Sequence, residues 1–95
     1  MSAFEWDTER NPARQRKHGI SFEEASTIFS APVLCGEDPG GHDEIRERSY
    51  GLLGGTVVVC VVHTERAGRL RIISARGATR TERTLFHVYL KKATD

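Results

Sequence analysis

Residues 56–63, TVVVCVVH, constrain the fold more than any other stretch of this chain. β-branched side chains fit a pleated strand better than a helix. The run is apolar at odd and even positions alike, so both faces of the strand are expected to be buried. That makes it the central strand of a sheet. Gly54 and Gly55 just before it form a hairpin signal, and Arg46–Leu53 reads as the preceding strand, with Glu47 and Arg48 suggesting an edge. After it, TERAG (64–68) turns the chain, Gly68 being free to take positive φ, and Leu70–Ala75 reads as the partner strand.

Helices are expected around this meander. In NPARQRKHG (11–19), Asn11 suits a cap, Pro12 a first helical position and Gly19 a stop; a longer helix from Asp7, kinked at Pro12, fits as well. In SFEEASTIF (21–29), Ser21 and Glu24 fit a capping box, and Phe22, Ala25, Ile28 and Phe29 fall at helical spacing. Thr79 and Glu82 form a second capping box. Leu85, Val88 and Tyr89 follow at helical spacing in that last helix, with Lys91 and Lys92 at its end, where cations suit the macrodipole. AFEWD (3–7) fits a short strand or an arm, and PVLCGEDPGGHDE (32–44) a strand start leading into an acidic loop. The expected architecture is a single α+β domain over residues 1–95: a small antiparallel sheet, helices against one face, two N-terminal helices and one C-terminal helix.

No run approaches the length of a membrane span, and no secretory signal stands at the N-terminus, which points to the cytoplasm. Cys35 and Cys60 read as reduced thiols, Cys60 as a small buried apolar residue. The formal net charge of +1 conceals an asymmetry. Residues 66–92 hold eight basic side chains against Glu82, a balance of +7, while residues 37–47 balance at −4. A basic third of this kind suits a polyanionic partner.

Strand periodicity places Arg69, Arg71, Ile73 and Ala75 on one face of their strand, and Leu70, Ile72 and Ser74 on the other. Arg76 lies at the strand's end, and Arg80 and Arg83 share a helical face. Guanidinium groups bind phosphate through paired hydrogen bonds and stack on unpaired bases. Pairing with the acidic loop is the plain structural alternative. RNA cleavage requires no cofactor: a 2′-hydroxyl attacks its own phosphate if one group takes its proton, a cation offsets the charge and another group protonates the leaving oxygen. Lys17, His18, His63 and Glu65 fit the proton-transfer roles, and arginines the electrostatic one. For His63 a buried, hydrogen-bonded core histidine is the plainer reading. There is no metal-ligand spacing, and no metal is expected.

FEWD, RKHGISFEEA and VVHTERAGRLRIISARGATRTER together resemble the BrnT family of bacterial toxins, from Phe4 to about Phe86. The resemblance implies a RelE-like fold, a ribonuclease that arrests translation, and a DNA-binding BrnA-type antitoxin that neutralises it in a toxin–antitoxin complex, with DNA reached only through the antitoxin. Lys17, His18, Glu65, Arg66, Arg71, Ser74, Arg76 and Arg80 stand at family motif positions. Departures are Arg14 for an Asn, His63 for a Tyr, Gly77 for a Lys and Phe86 for a Tyr. The expected catalytic set is Lys17, His63, Glu65, Arg71 and Arg76. The expected RNA-binding set is Arg66, Arg69, Arg80, Arg83, Lys91 and Lys92. Cofactor and metal: none.

Overall fold

The computed structural model describes residues 3–8, 19–39 and 45–94. The expected helix over 11–18 lies outside them. Strand β1 (Phe4–Trp6) is followed by helix α1 (Phe22–Ser26), a 3-10 turn (Thr27–Ser30), β2 (Leu34–Glu37), β3 (Glu47–Leu53), β4 (Val57–Arg66), β5 (Arg69–Gly77) and helix α2 (Arg80–Thr94). The sheet order is β1-β5-β4-β3-β2. The valine run is its centre, with Val58, Val59, Cys60 and Val61 all at 2% exposure or less.

Two expectations are corrected here. The sheet is mixed: β2 to β5 are antiparallel, but β1 pairs in parallel with β5, Phe4 opposite Leu70 and Trp6 opposite Ile72. The described residues hold two α-helices, one before and one after the strands β2–β5. The two helices also pack on opposite faces. Phe22, Ala25 and Ile28 join Val59, Val61, Ile72 and Ala75 in one cluster, while Phe86 packs with Val58, Tyr50, Leu52 and Leu34 in another. Alternation along β4 separates the two clusters, because Val58 points away from Val59 and Val61. The buried face of α2 is consequently Phe86, Tyr89 and Leu90; Leu85 and Val88 are half exposed.

Both capping boxes form. Ser21 accepts from Glu24 N, and Thr79 Oγ1 accepts from Glu82 N at 3.2 Å. β3 is internal, not an edge, because β2 covers it. The β3–β4 hairpin turns on Gly54 and Gly55, at φ 62° and 75°. Gly54 and Gly55 are the central residues of a turn closed by Thr56 N donating to the Leu53 carbonyl at 3.2 Å, and glycine takes positive φ at both without a steric penalty. The β4–β5 hairpin turns on Ala67 and Gly68, so Glu65 and Arg66 belong to β4 rather than to the turn.

β5 carries a bulge. His63 pairs with Ile72, but Val62 pairs with Ser74, leaving Ile73 as the extra residue. A bulge of this kind resets which face the rest of the strand presents. Ala75 therefore faces the α1 core with Leu70 and Ile72, while Ser74 and Arg76 face the other way with Arg71. Simple alternation assigned Ala75 and Ser74 the reverse way.

Candidate anion-binding face

The bulge gathers the cations. On the face away from α1, directly opposed residues form rows across the sheet: Glu5, Arg71 and Thr64; Ser74, Val62 and Arg48; Arg76, Cys60 and Tyr50. Arg66 and Arg69 close the β4–β5 hairpin at one end of this face. Arg80 and Arg83 begin α2 at the other, and the Arg83 guanidinium donates to the Ala78 carbonyl at 3.1 Å. Lys91 and Lys92 are exposed in the last turn of α2.

Three of these arginines have carboxylate partners. Arg48 donates to Asp38 through Nε at 2.8 Å and Nη2 at 2.6 Å. Arg71 lies 3.5 Å from Glu5. Arg76 holds Glu82 with both Nη atoms, at 2.8 and 3.0 Å. Glu82 also accepts from the Tyr50 hydroxyl at 2.8 Å and from Thr79 N at 2.8 Å. Arg76 holds the Glu82 carboxyl at about 2, far below the usual carboxylate range, and the Thr79 N–H and the Tyr50 hydroxyl add to the effect. The same bond pushes Arg76 further above its ordinary value. Burial, then the bond to Glu82, pushes the Tyr50 hydroxyl up to about 12, so it stays protonated and donates.

His63 lies on the opposite face, with Val59 and Val61. It is 5% exposed, its Nε2 is 2.7 Å from Ser49 Oγ, and Phe29 meets its ring edge-on at 5.3 Å. Burial lowers its pKa, and the Glu47 carboxylate partly opposes that. His63, Glu65, Glu47, Phe4 and Phe29 line a cleft of about 370 Å³ at that side of the hairpin, with Arg69 at its wall. The structure thus puts Arg71 and Arg76 on one face, with the Ser74 row between them, and His63 with Glu65 on the other face of the sheet. Lys17 and His18 lie outside the described residues. Tyr50, Arg48 and the bonding role of Glu82 escaped sequence reasoning. Tyr50 alternates with Gly51 and Ser49 in an unremarkable strand, and its partner is 32 residues away.

Among the described residues, no three His, Cys, Asp or Glu side chains gather as a metal site, and no helix is long and apolar enough to cross a membrane. Cys35 and Cys60 are both free thiols.

A search of curated proteins finds no match to the chain. Among solved structures, the Brucella abortus ribonuclease toxin BrnT superposes with a TM-score of 0.63 at 24% identity, covering 84% of this chain and 100% of that one, a likeness of fold. Residues 6–82 match the family model described as ribonuclease toxin, BrnT, of type II toxin–antitoxin system. With most of its length matched in this way, the chain belongs to the BrnT family of ribonuclease toxins.

Proposed function

We propose that this protein is a cytoplasmic endoribonuclease that cuts RNA without a metal ion, arrests translation, and is silenced by a BrnA-type antitoxin in a hetero-oligomeric complex. The observation that carries this reading is the common face of Arg71, Ser74 and Arg76, created by the bulge at Ile73. Positioned guanidinium groups stabilise the charge that builds on phosphate as a 2′-hydroxyl attacks it. Arg66, Arg69, Arg80, Arg83, Lys91 and Lys92 extend the positive surface for flanking RNA. Lys17 is the proposed proton-transfer group, while Glu65 faces the cleft with His63, across the sheet from Arg71 and Arg76. His63, buried against Ser49 on the far face, serves the strand pair β3–β4 in this reading.

A non-catalytic basic docking face is the second reading. The carboxylate partners of Arg48, Arg71 and Arg76 favour it over catalysis, since each pairs a guanidinium that would otherwise be given over to a scissile phosphate. The test is purified protein with single-stranded RNA in excess chelator, scored for new RNA ends. New ends that vanish in Arg71→Ala/Arg76→Ala support the nuclease. Intact RNA bound in a salt-dependent manner supports docking. Persistent cutting by the folded double mutant refutes the assignment of the arginine face.

A further inference from the structure

Glu82 is saturated, and Arg76 is not. Oε1 of Glu82 accepts from Arg76 Nη1 and Thr79 N, each at 2.8 Å. Oε2 accepts from Arg76 Nη2 at 3.0 Å and the Tyr50 hydroxyl at 2.8 Å. A carboxylate has about four lone-pair sites, so none remains. A guanidinium has about five N–H donors. Two of those on Arg76 go to Glu82, and another on Nη1 goes to the Gly77 carbonyl at 3.1 Å. What remains is Nε–H and the outer Nη2–H, with no partner among the described residues. They lie on one edge of the planar group and form a fork of the kind that matches two oxygens of a phosphate. The side chain is 35% exposed, so that edge is not sealed off. Ser74 stands next to it on the same face, roughly 7 Å along the strand, and adds a hydroxyl donor.

We propose that the Nε/Nη2 edge of Arg76 is a binding site for one phosphate of an RNA backbone, and that Glu82, braced by Tyr50 and Thr79, is the positioning residue that aims it. The proposal rests on the ribonuclease reading above and specifies its contact atoms. It has a two-sided consequence. Glu82 puts a negative charge beside a polyanion and so weakens overall RNA binding, yet it fixes the plane of the guanidinium and so favours the productive geometry. Loss of the charge should tighten binding and slow turnover. A merely structural role would not split the two in that direction.

The experiment compares wild type with Glu82→Gln, Tyr50→Phe and Arg76→Lys, all at a temperature where unfolding curves show them folded. The binding probe is a 2′-O-methyl oligoribonucleotide, in which the attacking hydroxyl is blocked. In wild type the probe should shift the Arg76 Nε–H resonance. Glu82→Gln should abolish that shift and lower kcat by about 30- to 100-fold, as expected when one preorganised donor is lost. Its Kd for the probe should stay equal or tighten by up to about threefold, because one repulsive charge is gone. Tyr50→Phe, which removes only a hydroxyl, should lower kcat in the same direction by about three- to tenfold. Arg76→Lys should retain binding but lose the turnover that needs the fork. The proposal is overturned if the bound probe leaves the wild-type Arg76 Nε–H unmoved, or if Glu82→Gln cuts RNA within about threefold of wild type. Should wild type bind the probe through Arg76 yet cut no RNA, the nuclease reading falls and the phosphate site stands.

Discussion

Replacing Glu82 by Gln also tests how much the Arg76–Glu82–Tyr50 cluster contributes to holding α2 on the sheet. Glu82 is held at about 2, against the usual 4.5. A gap of that size corresponds to about 3 kcal/mol of preference for the charged, folded form. Arg76 is 35% exposed and regains water when the pair is broken, so about 2 kcal/mol should survive screening. In a domain this small, that loss lowers Tm by roughly 10 °C. The sign follows from the depressed pKa. The stabilisation is present in full above the unfolded value near 4.5 and disappears as pH falls through about 2. Urea unfolding of wild type and Glu82→Gln at neutral pH and at several acid pH values is the assay. The two curves should be about 2 kcal/mol apart at neutral pH and converge on acidification. A separation that is absent at neutral pH, or that persists unchanged in acid, would refute the account of this cluster.

Further outcomes follow from neighbouring features. Burial lowers the His63 pKa below its unfolded value of 6.5, so stability should decline as pH falls below that value, and His63→Gln should flatten the slope in urea titrations. At Gly51 an added Cβ would lie 2.9 Å from Ile28 Cβ and 3.2 Å from Val33 Cγ1. Gly51→Ala should therefore destabilise by about 1–3 kcal/mol in chemical denaturation. Thr79→Ala removes an N-cap acceptor and should cost about 1 kcal/mol, read as a lower Tm without loss of fold. Arg71→Ala/Arg76→Ala should abolish growth arrest on expression while the purified protein gives a cooperative melt.

Local chemistry was legible in the residues, and long-range geometry was not. The Ser21–Glu24 and Thr79–Glu82 boxes each join residues three apart, and both formed. The valine run announced a central strand because it had no polar side to show to water. The parallel pairing of β1 was not readable, because FEW is too short to carry a period and its partner is some 66 positions away at Leu70. The bulge was hidden for a different reason. Ile73 is an ordinary strand residue, and only pairing with Val62 and His63 reveals it as surplus. That one surplus residue reverses the faces that simple alternation gives to Ala75 and Ser74, and puts Arg76 on the same face as Arg71. Glu82 counted in the sequence as a lone acid among cations. Its contact with Arg76 crosses the junction of β5 and α2, which residue spacing does not encode.

The parallel edge has a bearing on synthesis. Among the described residues β1 pairs with β5 alone, and Arg71, Arg76 and Glu82 likewise lie beyond position 70. Until β5 has been synthesised, β1 has no edge to pair with and the common face of Arg71, Ser74 and Arg76 does not exist.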